Sequence, residues 1–119
     1  MKLLTANQIR CLVNNGHWNR IRRCQERPID DFVPVVKLFC LWRPATWLLT
    51  EITHPDRDVA YGLCDLGVGL PEVSRVRLSS LKTLRSSQGA GIEQDRYFRP
   101  IMTLAGYAEK SRRHGRTIA

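Results

Sequence analysis

Val35-Val36-Lys37-Leu38-Phe39-Cys40-Leu41 and Thr46-Trp47-Leu48-Leu49-Thr50-Glu51-Ile52, joined by a turn through Arg43-Pro44-Ala45, decide the fold. Each run is too short for an average helix and rich in the β-branched and aromatic residues that suit a pleated surface. The first is almost continuously apolar, as in a strand covered on both faces. Two more runs follow, Val59 to Leu66 and Glu72 to Leu78, separated by Gly67-Val68-Gly69-Leu70-Pro71. In the last, Val73, Val76 and Leu78 alternate imperfectly with Arg75 and Arg77, which suits an edge strand. Short hairpin links predict an antiparallel meander of about four strands.

Outward from the sheet, the pattern changes to helical. Thr5 and Gln8 have capping-box spacing, and Ile9, Leu12 and Val13 share one face before Asn14-Asn15-Gly16 predicts a stop. From His17 to Asp31 the chain is polar and basic, reads as a ragged helix or loop anchored by Trp18 and Ile21, and closes on Arg27-Pro28. Beyond the sheet, Ser79 or Ser80 is placed to cap a short helix carrying Leu81 and Leu84. Ser86 to Gly91 has the composition of a mobile loop. Thr103 opens a last helix with Leu104, Tyr107 and Ala108 on one face, closed by Gly115. The expected architecture is a single α+β domain over residues 1–119, an antiparallel sheet packed against helices from both termini.

The chain of 119 residues has room for one core and no second domain. Its start is apolar for too few residues to be a signal peptide, and no run approaches a membrane span, so a cytoplasmic location is expected. Cys11, Cys24, Cys40 and Cys64 are scattered without a C-x-x-C pair, which supports neither a zinc knuckle nor a redox pair. Cys40 and Cys64 fall in apolar strand patterns and read as small core residues.

The formal charge of +8 is unevenly spread. Residues 30 to 72 carry seven acids and three bases, and the remainder sixteen bases and four acids. The bases cluster at Arg20, Arg22 and Arg23, at Arg75 and Arg77, and at Arg112 and Arg113. Each is a candidate phosphate-pairing cation, with Trp42, at a hairpin end, as the aromatic best placed to be exposed and to stack on a base. Trp47, in an apolar strand, reads as core. The partner expected from these residues is nucleic acid, or an acidic or nucleic-acid-bound protein complex.

No catalytic set is assigned. Glu51, His54, Asp56, Asp58 and Asp65 make the sharpest enzymatic constellation, since carboxylates at strand ends can hold Mg²⁺ for phosphodiester hydrolysis. Against it, Asp56 and Asp58 flank a His-Pro turn, where aspartate caps its own backbone, and successive strand residues point to opposite faces. Glu93 with Asp95 is a weaker pair. Gly67-Val68-Gly69 and Gly89-Ala90-Gly91 lack the third glycine and the lysine of a phosphate cradle and read as turns, so no cofactor is expected.

Six ordered blocks carry a resemblance: Met1 to Thr5, Pro34 to Phe39, Ala45 to Glu51, Tyr61 to Gly67, Ile92 to Phe98, and Tyr107-Ala108-Glu109. Together they resemble the small bacterial family called domain of unknown function 2958, over nearly the whole chain. The resemblance implies a gene carried on plasmids and integrated mobile elements, a bacterial cytoplasm, and no established activity. This chain departs from that pattern at Arg75, Arg77 and the arginine-rich segment 20 to 27. The reading that follows is a non-enzymatic accessory protein of a mobile element with a basic face for nucleic acid or a protein that handles it. The alternatives are an anti-defence inhibitor of a host immune effector such as a CRISPR complex, and a Mg²⁺-dependent nuclease.

Overall fold

A computed structural model describes residues 3–53 and 56–119. His54 lies outside them. The chain forms α1 (Ala6–Cys24), β1 (Val36–Phe39), β2 (Thr46–Ile52), β3 (Val59–Asp65), β4 (Glu72–Arg77), α2 (Leu78–Thr83), β5 (Glu93–Gln94) and α3 (Leu104–His114). The strands make one antiparallel sheet in the order β4-β3-β2-β1-β5. The four expected strands are present, and a two-residue fifth pairs with β1.

Helices from the two ends of the chain cover opposite faces. Under α1 and α2 the core is built from Leu12, Leu38, Trp47, Leu49, Leu78 and Leu81, with their neighbours. Under α3 it is Leu48, Leu63, Leu104, Tyr107 and Ala108. Alternation along β2 explains the division, since Trp47 and Leu49 face one way and Leu48 the other. Each such buried side chain contributes roughly 1.5–3 kcal/mol relative to exposure.

The first helix differs from its expected length. Its capping box forms, with the Gln8 N–H donating to Thr5 Oγ1 at 3.2 Å and the Thr5 N–H to Gln8 Oε1 at 2.9 Å. It does not stop at Gly16, however, and runs on to Cys24. Gly16 is there for closeness: a Cβ on it would stand 1.9 Å from the Ile52 carbonyl oxygen. Asn15 donates to the Thr50 carbonyl at 2.9 Å, so the apparent stop signal is the surface by which α1 grips β2. Trp18 is not an anchor, being 47% exposed.

The later helices are capped from across the fold. The Ser79 N–H of α2 donates to Asp58 Oδ1 at 2.9 Å, so the cap is Asp58 and neither Ser79 nor Ser80. Thr103 takes the N-cap position of α3 without a side-chain bond, and Asp31 Oδ1 accepts from the Ala105 N–H at 3.1 Å instead. Gly115, at φ 68°, closes α3 in the left-handed conformation that glycine favours.

Candidate functional site

One irregularity in the sheet creates the site. Between Leu49 and Glu51 the β2–β3 register shifts, so Thr50 is an extra residue and the alternation of faces is reset. Without the bulge Glu51 would share a face with Trp47 and Leu49. With it, Glu51 pairs with Tyr61, and Tyr61 with Arg75, so the three side chains stand in a row on the α3 face. The pairing of β1 with β2 reaches only to Leu49, and α1 with the segment after it fills the corner beyond.

Glu51 is 2% exposed. Its Oε2 accepts from Asn19 Nδ2 at 2.8 Å, and its buried Oε1 has no partner among the described residues. Asn19 is itself held by the backbone of Asp30, whose N–H donates to Asn19 Oδ1 at 2.8 Å while its carbonyl accepts from Nδ2 at 3.1 Å. Burial pushes the Glu51 carboxyl above its ordinary value of 4.5, and the Asn19 hydrogen bond and then the charges of Arg23 and Arg75 draw it part of the way back. Arg23 comes from the end of α1 and Arg75 from β4, so two basic clusters far apart in sequence act on the same carboxylate. Glu51 lines a cleft of about 250 Å³ with Phe32, Tyr61, Val73 and Leu104, and Asp30 and Asp31 line it too.

Other candidate cations are already engaged. Arg22 lies over the Trp18 ring, 5.2 Å from its centroid, and its Nε is 3.5 Å from Asp30. Arg77 Nη1 reaches Asp56 at 3.2 Å and Asp58 at 3.7 Å. Arg112 and Arg113 sit at the far end of α3, where Arg112 Nε donates to the Ala108 carbonyl at 3.3 Å and Arg113 approaches Glu109 at 3.9 Å. Leu104, at the start of that helix, lines the Glu51 cleft, and the rise of α3 separates its two ends by roughly 15 Å. Arg112 and Arg113 are therefore set apart from the Glu51 cleft. Arg20 and Arg23 on α1 and Arg75 on β4 are exposed, and among the described residues no hydrogen bond or ion pair engages their guanidinium groups. Trp42 is half-buried against the core rather than presented to solvent, and Trp47 is core as expected.

The carboxylates considered for Mg²⁺ are not assembled. Asp58 precedes β3 and Asp65 ends it, and seven residues of extended chain separate them by roughly 23 Å. Asp58 caps α2, with the Ser79 hydroxyl donating at 2.6 Å. Asp65 is 3% exposed and accepts from the Gly67 N–H and from both the N–H and hydroxyl of Thr117, at 2.8–2.9 Å. Among the described residues no three His, Cys, Asp or Glu side chains are grouped to hold a metal ion. Burial also pushes the Cys40 thiol up, and the Cys64 thiol up to about 11, so both are poor nucleophiles.

A larger groove, about 870 Å³, runs between the start of α1 and β5. The side-chain amides of Gln8 and Gln94, at its side, pair with each other at 2.8–2.9 Å, so neither amide leaves a polar demand. The Glu51 cleft is smaller and does leave one.

A family model described as Protein of unknown function (DUF2958) matches residues 3–118. The chain belongs to that family. No curated protein matches it, and no solved structure does. Among the described residues, no helix of this DUF2958 member is long and apolar enough to cross a membrane.

What the sequence missed was the separation of Glu51 from its acidic neighbours. The available signal was an acid inside an otherwise apolar strand, Thr46 to Ile52. The bulge that re-aims it leaves no mark in the pattern.

Proposed function

We propose that this protein is a non-enzymatic binding module that engages nucleic acid at the corner bounded by Arg20, Arg23 and Arg75. The observation that carries this reading is the cross-strand row Glu51–Tyr61–Arg75, beside the end of the helix whose Asn19 bonds Glu51 and whose Arg20 and Arg23 are exposed. Guanidinium groups free of carboxylate partners retain their full capacity for phosphate oxygens, and the Phe32 and Tyr61 rings that line the cleft offer faces on which a base can stack. The family resemblance supports an accessory role on a bacterial mobile element, exercised in the cytoplasm.

Fluorescence anisotropy of labelled single- and double-stranded DNA and RNA across a salt series tests it. Wild type should bind at low salt and weaken steeply as salt rises, and Arg23→Gln/Arg75→Gln should lower the log–log slope by about 1.4 for single strands. No binding at low salt would overturn the reading.

A second reading has its own observation. The β1–β2 turn and the β3–β4 loop meet at the opposite end of the sheet, where Gly67 abuts Pro44, and together they expose Leu41, Leu66, Val68 and Leu70. Exposed apolar side chains on neighbouring loops suit a protein partner. An anti-defence inhibitor that docks on a nucleic-acid-handling host complex would use that end, and stable co-purification with one such complex, lost in Val68→Asp/Leu70→Asp, would favour it.

A further inference from the structure

We infer that the end of the sheet where the β1–β2 turn meets the β3–β4 loop docks on an anionic lipid bilayer, its aliphatic tips entering the interface while the arginines around them meet lipid phosphates. This goes beyond both readings above, and it does not depend on the nucleic-acid corner, which lies toward the other end of the strands.

The tips are aliphatic and held outward. Leu41, Val68 and Leu70 are 69%, 72% and 69% exposed, and Leu66 is 53% exposed. Gly67 and Gly69, both at positive φ, take the inward positions between them. A Cβ on Gly67 would stand 2.8 Å from Pro44 Cγ, and one on Gly69 3.8 Å from the Gly115 carbonyl oxygen. The loop is pinned from beneath as well, since the buried Asp65 carboxylate accepts from the Gly67 N–H and from Thr117. The exposed side chains therefore stand on a fixed base.

Cations frame these tips. Arg43 is exposed in the β1–β2 turn, two residues from Leu41. Because Gly115 packs on Gly69, the last turn of α3 and the residue after Gly115 bring Arg112, Arg113 and Arg116 to the same end, all exposed. The acids of this end are turned away or engaged. Asp65 is satisfied by its three donors. Glu72 stands in the row of Cys64 and Trp47, on the face of the sheet away from α3. Glu109 lies one turn back along α3, 3.9 Å from Arg113, and Glu93 is on β5, three strands from β3.

The chemistry of the tips then favours lipid over protein. Protein partners concentrate binding energy on Trp, Tyr and Arg seated in matching hollows, and Leu and Val are under-represented there. A bilayer interface requires no matching shape. It takes protruding aliphatic side chains according to the area they bury, and an anionic surface adds attraction for cations held at headgroup depth. Aliphatic tips with arginines beside them meet both conditions, and guanidinium pairs with phosphate in bidentate fashion.

Flotation with large unilamellar vesicles tests this, comparing equal parts phosphatidylglycerol and phosphatidylcholine with phosphatidylcholine alone. Wild type should partition roughly 10-fold more strongly onto the anionic vesicles. Val68→Asp/Leu70→Asp should lower that partition by roughly 10-fold or more, because the tips can no longer enter. Arg112→Gln/Arg116→Gln should lower it about 25-fold, at roughly fivefold for each arginine near the surface. Arg20→Gln/Arg23→Gln removes the same charge from the far corner. The seven residues of β2 set that corner roughly 20 Å away, beyond a Debye length of about 10 Å at 0.1 M salt, so partition should be unchanged. All these side chains are exposed, and melting curves should match wild type. Val68→Trp should keep binding, and its added emission should shift to the blue on anionic vesicles, as entry into the interface requires. Equal losses from the two arginine pairs would mean undirected attraction of a basic protein and would overturn the proposal, as would partition that ignores Val68→Asp/Leu70→Asp. Wild type that stays off both kinds of vesicle would overturn it too and leave this end to a protein partner, with the nucleic-acid reading untouched.

Discussion

Strands β2 and β3 bury two carboxylates to nearly the same depth, Glu51 at 2% exposure and Asp65 at 3%, and use them in opposite ways. Asp65 meets three donors and ties the C-terminal segment, through Thr117, to the end of the sheet. Glu51 meets one donor and keeps an oxygen idle. A satisfied buried acid is a structural pin, whereas a half-satisfied one holds free energy that a ligand can release. Burial alone would not have separated them; the count of donors does.

The most damaging way to break the comparison is to lift α1 away from Glu51. Gly16→Ala places a methyl group against the Ile52 carbonyl, and a loss of about 3 kcal/mol in a urea melt is expected, together with faster amide exchange at Asp30 as Asn19 is displaced. Next comes the pin itself. Asp65→Ala leaves the Gly67 and Thr117 donors without their acceptor and should cost about 2–3 kcal/mol, with amide protection at Thr117 lost first.

At Glu51 the sign should reverse. Glu51→Gln removes a desolvated charge while keeping shape, so a gain of about 1 kcal/mol at neutral pH is expected, and a loss as large as that of Asp65→Ala would erase the distinction. The pH profile sharpens it further. Because the folded Glu51 carboxyl is raised above 4.5, its contribution is full below that value and is lost as pH rises through the folded value. That decline should be absent in Glu51→Gln.

The smallest effect belongs to Arg77→Gln. The Ser79 hydroxyl first, then the Ser79 N–H and Arg77, hold Asp58 below its ordinary 3.8, so its contribution is present above that value and is lost as pH falls through the lowered one. Arg77→Gln should weaken this slightly, visible only as an earlier melt on the acid side.

Much of this was legible beforehand. The four strands stood out because apolar runs broken by Pro, Gly and charged turns admit few other readings, and the Thr5–Gln8 box marked the start of α1. The length of α1 was hidden because Asn15, Gly16 and Asn19, poor helix formers in isolation, are chosen for what they touch on β2 and around Asp30. The placement of the basic residues was only half legible. Sequence clusters show charge, but Arg22 and Arg77 are spent on Asp30, Asp56 and Asp58, and that depends on which acids the fold brings near. Glu51 was visible as an acid in an apolar strand, yet its direction depends on the Thr50 bulge, a backbone event set by pairing partners.

The outer strand β4 carries a further consequence. Its far side has no strand beside it, and β5, which closes the other edge, is only two residues long. An open edge with unused amide and carbonyl groups invites another molecule's strand to join it and grow into fibrous or amorphous aggregate. Glu72, Arg75 and Arg77 are exposed along that edge, and charged side chains there would have to shed water when another strand docked. Charge on the open edge thus keeps copies apart, so Arg75→Val/Arg77→Val should self-associate in size-exclusion runs at rising concentration, where wild type keeps its elution volume.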